Sequence, residues 1–134
     1  MIAADPTQTL SCIEEATRGL LFPSESDRPL VPYRFGPEEP TPEAVLRARG
    51  LPAETLVEEE SVASFFEGVT QAPEGAAAEE EATAERFRAL VALLERELLE
   101  LRVLRVGKIE IDALVLGKHP SGEWIGLSTQ LVET

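Results

Sequence analysis

A chain of 134 residues, 43% hydrophobic and 28% charged, has the size and balance of one globular domain spanning 1–134, large enough to bury roughly two-thirds of the surface its unfolded form exposes. Its 25 acidic against 12 basic residues leave a net charge of −13, which disfavours direct binding to nucleic acid or an anionic membrane and suits a basic partner, although plain solubility explains the same excess. With no apolar run near the roughly 18–20 residues of a membrane span, no leader-like start at 1–6, one cysteine and one histidine, a cytoplasmic protein without internal disulfide or zinc site is expected.

Asp5 before Pro6, with Gln8 three residues after Asp5, is a capping-box-like start, and the proline fills a first-turn position that needs no donor. A helix follows to Arg18, with Leu10, Ile13, Ala16 and Leu20 as its apolar face and Gly19 as a left-handed cap. Cys12, inside it and remote in sequence from any cysteine or histidine, reads as a structural thiol. Residues 20–29 begin apolar, turn polar between Pro23 and Pro29, and predict a short extended piece entering a loop that exposes Glu25. Residues 30–35 alternate loosely, and Pro32 makes them an edge strand.

Thr41 before Pro42 starts a second, short helix that Gly50-Leu51-Pro52 stops. Residues 55–59 predict a strand, and Ser61 caps a brief helix presenting Phe65 and Phe66 to the core. Residues 70–77 lack periodicity and predict a mobile loop carrying Glu74. The longest helix begins near Glu79, with Phe87, Leu90, Val91, Leu94, Leu98 and Leu101 as its stripe. Glu79, Glu80 and Glu81 suit its positive end, and three successive carboxylates diverge too much to favour a metal. Residues 102–106, 108–117 and 123–132 read as strands, the last two joined by a turn at His119-Pro120-Ser121-Gly122. Ile109, Ile111, Ala113 and Val115 face one way, Leu114 and Leu116 the other, which predicts a sheet covered on both faces. The expected class is α/β in the α+β sense, a layered α-β-α or two-layer sandwich around a mostly antiparallel sheet.

No glycine-rich phosphate loop, nucleophile elbow, or cysteine–histidine or serine–histidine–acid set is present. His119 reads as a solvated turn residue ahead of a general base. Glu110 and Asp112 share a strand face and suit either a hard cation or an acid/base pair, but outward carboxylates also protect a sheet from aggregation. No catalytic residue is assigned, and a non-enzymatic protein is expected.

Three stretches carry a resemblance: Gly19-Leu20-Leu21-Phe22-Pro23-Ser24-Glu25-Ser26, then Ser64-Phe65-Phe66, then Val106-Gly107-Lys108-Ile109-Glu110-Ile111-Asp112 through Gly126-Leu127-Ser128-Thr129 to Val132-Glu133-Thr134. Together they resemble the nuclease A inhibitor family over nearly the whole chain. The resemblance implies that family's fold and a partner that is a sugar-nonspecific ββα-metal nuclease acting on DNA and RNA. It implies that Glu25 enters the nuclease active site as a mimic of the scissile phosphate's charge. It further implies that Thr134 offers its hydroxyl to the nuclease's magnesium, so that the bridging metal belongs to the partner and the chain needs no cofactor of its own. Ser24 and Ser26 flank Glu25 and are expected chiefly to shape the loop through hydroxyl-to-backbone bonds, and Glu133 either adds charge beside the metal or is solvated. The family's second contact, an Asp-Trp pair before the long helix, is replaced here by Glu74-Gly75-Ala76, which removes an aromatic anchor of a kind worth about 2 kcal/mol or more. Trp124 is expected to pack on the sheet instead of replacing it. The alternative is a non-catalytic interaction module of the same fold with another basic partner.

Overall fold

The computed structural model describes residues 5–133. In α1 (Pro6–Thr17) the Asp5 carboxylate accepts from the Thr7 N–H at 2.9 Å, and Gly19 takes φ 72° just beyond the end, as the caps predict. The buried face is Pro6, Thr9, Ile13 and Thr17. Leu10 and Ala16 are only partly buried at its margin, so the helix is rotated from the expected stripe. Cys12 is exposed, which corrects its reading as a structural thiol.

Two residues of β1 (Leu21–Phe22) pair antiparallel with β2 (Arg28–Pro29), and 23–27 form the loop between them. The main sheet is antiparallel, ordered β3-β7-β6-β5-β4, with β3 (Val31–Gly36) and β4 (Val57–Glu60) at its edges. Pro32 therefore lies on an edge strand, where its missing N–H costs least. The inner strands are β5 (Leu99–Val106), β6 (Glu110–Lys118) and β7 (Trp124–Val132).

Alternation along β6 separates two cores. Ile111, Ala113 and Val115 meet α1, α3 (Val62–Phe66) and α4 (Ala78–Glu97) through Ile13, Phe65, Phe66, Phe87, Leu90 and Leu94. Leu114 and Leu116 face the other side, where α2 (Pro42–Arg49) packs Val45 and Leu46 on them. The layers are thus helices, sheet, helix. The α2 ends match expectation: Thr41 Oγ1 accepts from Ala44 N at 3.1 Å, and Gly50 closes the helix at φ 66°. Ser61 likewise caps α3, accepting from Ser64 N at 3.1 Å. Glu80 turns back to accept from Ala77 N at 3.1 Å, which gives one member of the acidic triplet a structural task.

Three expectations fail for non-local reasons. The stripe through Leu98 and Leu101 does not continue the long helix, because α4 ends at Glu97 and β5 begins two residues later. A register shift between Leu99 and Arg102, with Glu100 at φ 54°, absorbs the change, and Leu98 and Leu101 lie over Gly117. Ile109 lies before β6 and is 54% exposed, so it does not share the core face of Ile111. His119 is only 5% exposed, not solvated, because α1 lies against the hairpin turn. Its Nε2 is 3.2 Å from Thr9 Oγ1, and its Nδ1 accepts from Ser121 N at 3.1 Å. Trp124 packs on the sheet as expected, 3% exposed, with the Arg102 guanidinium 4.9 Å from its ring centre. Among the described residues no helix is long and apolar enough to cross a membrane.

Candidate functional site

The β1–β2 loop is built from its first residue upward. Phe22 is buried in a group of four phenylalanines, stacked on Phe65 at 4.6 Å and edge-on to Phe66 and Phe87 at 5.9 and 6.1 Å. Pro23 then turns the chain outward. The Ser24 hydroxyl donates to Ser26 O at 2.8 Å and accepts from Ser26 N at 3.3 Å, closing a tight turn that leaves Glu25 exposed at its tip. Ser26 Oγ accepts from Arg28 Nε at 3.2 Å, bracing the return. The hydroxyl-to-backbone bonding expected of this pair is present at Ser24, while Ser26 uses its side chain on an arginine.

The same hydroxyl has a distant partner. Val132 N donates to Ser24 Oγ at 3.2 Å, and Glu25 N donates to Val132 O at 3.3 Å. The loop is therefore joined by two bonds to the end of β7, more than a hundred residues away in sequence. Glu133 continues the strand, its N–H donating to Ile109 O at 2.9 Å, and its carboxylate accepts from Arg105 Nη2 at 2.6 Å. Arg105 also reaches Glu60 at 3.4 Å, and Glu60 accepts from Ser64 Oγ at 2.9 Å. Burial pushes the Arg105 guanidinium down, but its bonds to Glu133 and Glu60 and their charges outweigh that and hold it above its ordinary value.

Of the sequence-predicted residues, Ser24, Glu25 and Glu133 line one cleft, floored by Phe22, Phe65 and Leu131. Glu74 is exposed on the α3–α4 loop and does not join them, although its neighbour Pro73 lines an adjoining groove with Leu21 and Asp27. Thr134 lies outside the described residues. Arg105 and Glu60 went unnoticed in the sequence, where the signal was a lone arginine at an inward position of a strand, on the same face as Val103. The alternative carboxylate pair, Glu110 and Asp112, lines another groove with Arg28 and Gln130; Asp112 is held there by Arg49 at 2.9 Å, while Glu110 is exposed. Among the described residues no group of three metal-ligating side chains is present.

Ser24→Ala should deprive both Ser26 N–H and Val132 N–H of their acceptor, at a cost of about 1–3 kcal/mol. Hydrogen exchange at Val132, followed with urea unfolding, checks this; an unchanged, slowly exchanging Val132 amide contradicts it.

Fold and site together define an acidic α+β domain that presents a carboxylate on an exposed loop braced against a strand end, without a convergent catalytic set among the described residues. No curated protein matches the chain. The chain belongs to the nuclease A inhibitor-like protein family, whose profile matches residues 7–134. Membership points to nuclease inhibition, with a nuclease as partner, in place of an enzymatic activity.

Proposed function

We propose that this protein inhibits a sugar-nonspecific ββα-metal nuclease by occupying its active site, without catalysing a reaction of its own. Glu25 enters where the scissile phosphate binds and presents a negative charge to groups arranged to receive one. Thr134 offers its hydroxyl to the nuclease's magnesium, a hard cation that takes oxygen ligands and keeps exchangeable waters. Glu74 and Ser26 lie at the margin of the contact. The observation that carries the reading is the pair of bonds joining Ser24 and Glu25 to Val132, because they hold the acidic loop beside the strand that leads to Thr134. A pre-set pair of contacts loses less ordering entropy on binding than two independent segments would. The net charge of −13 favours rapid encounter with a basic groove.

The second reading, an interaction module with another basic partner, is favoured by one feature: Glu74-Gly75-Ala76 supplies no aromatic anchor. The two separate in one assay. Purified protein mixed with a magnesium-dependent nuclease of this class should block hydrolysis, and Glu25→Ala or removal of Thr134 should each weaken inhibition about 30-fold or more, as for truncating one side of a buried charge contact. Equal inhibition by all three forms, or none by the intact protein across nucleases of this type, overturns the proposal.

A further inference from the structure

In a chain so acidic, a cation at the candidate contact face needs an explanation, since it would repel a basic partner. Arg105 stands there with its side chain only 21% exposed. Its two terminal nitrogens are turned to different carboxylates, Nη1 to Glu60 at 3.4 Å and Nη2 to Glu133 at 2.6 Å. The cleft around it keeps an acidic rim of Glu25, Glu60 and Glu133. Arg105 thus spends its charge inside the molecule. Its shorter bond goes to the last residue the structure describes, whose backbone N–H donates to Ile109 O.

Resting on the inhibitor reading above, we propose that Arg105 is a positioning residue that holds Glu133, and with it the point from which Thr134 departs, against the Glu25 loop. Glu60 fixes the guanidinium from the β4 side and is itself held by Ser64 Oγ at 2.9 Å. Without the cation, three carboxylates face one another across the cleft, and the strand end separates from them. Glu133 then serves as the inhibitor's internal clamp and not as a contact to the partner. Releasing it lowers the fraction of molecules ready to bind and raises the apparent dissociation constant by the same factor.

The test is a double-mutant cycle on the full chain, together with relaxation measurements on the free protein. Arg105→Met, which keeps an unbranched apolar stem without the charged guanidinium, should weaken inhibition of the magnesium-dependent nuclease about tenfold. It should cost less than about twofold once Thr134 has been removed, because the tether then positions nothing. Its cost should persist in the Glu25→Ala background, and Arg105→Lys should recover part of the loss. In the free protein, the Glu133 amide order parameter should fall below about 0.6 in Arg105→Met while Thr129 and Gln130 remain near 0.85. An equal cost with and without Thr134, or an unchanged Glu133 order parameter, overturns the proposal. If neither Glu25→Ala nor Thr134 removal alters inhibition, the inhibitor reading fails instead, and the relaxation arm still decides whether Arg105 holds the strand end.

Discussion

Phe22→Ala should destabilise the protein by about 3–5 kcal/mol, the usual cost of removing a buried phenylalanine ring. Against a total of about 5–15 kcal/mol for a domain, that is a large fraction. The residue is 7% exposed, and its ring touches three others, Phe65, Phe66 and Phe87, so the hole cannot be filled by one neighbour turning inward. It also immediately precedes Pro23 and Ser24, which makes it the root of the loop that presents Glu25. Inhibition should weaken in the surviving folded molecules, because the loop loses its base before it loses its turn. Phe22→Leu keeps much of the volume and should cost less than about 1.5 kcal/mol. Urea unfolding of both variants, with inhibition measured well below the transition, checks the pair. An unfolding midpoint for Phe22→Ala equal to that of the parent would mean that the ring cluster does not hold the loop.

Gly126→Ala should be worse still. A methyl group at this position would lie 1.8 Å from Val115 O and 2.9 Å from Val115 C, so it meets backbone and not a side chain that could swing aside. Val115 belongs to β6, paired on both sides by β5 and β7, so relief requires breaking the ladder between two inner strands. The expected loss exceeds about 4 kcal/mol, with a failure to fold cooperatively as its extreme form. Gly68→Ala provides the comparison, since nothing lies within 4 Å of its added carbon, and it should stay within about 0.5 kcal/mol of the parent. Thermal unfolding of the two variants side by side distinguishes them. A Gly126→Ala protein that melts with the parent would show that β7 can shift away from β6 at little cost.

What could be read from the sequence was local. Thr41, Pro42 and Gly50 delimit α2 by chemistry that acts within a turn of the chain, and the structure has those caps. The two-faced apolar pattern of β6 likewise needs only alternation to be visible, and both cores are present. Leu98 and Leu101 misled because three- and four-residue spacing is also satisfied by a helix end followed by a bulged strand. The burial of His119 depends on Thr9, 110 positions away, and no window of sequence contains both. The site divides in the same way. Ser24 is legible as a loop hydroxyl, but its bond to Val132 is not, and neither is the grip of Arg105 on Glu133. Spacing says which residues share an element; it does not say which strand ends meet.

The order of strands also bears on when the loop takes its shape. Among the described residues β3 pairs with β7 alone, and residues 24 and 25 find their backbone partner at Val132 in the same strand. While residues 124–132 are still being made, β3 lacks its strand partner β7 and Ser24 lacks its donor at Val132. The loop is thus among the earliest parts synthesised and among the last completed, since contacts this remote along the chain carry the largest closure entropy and form late. A ribosome-bound chain lacking β7 would have the local Ser24–Ser26 turn without either bond to Val132, and it gains both when residues 124–132 insert between β3 and β6.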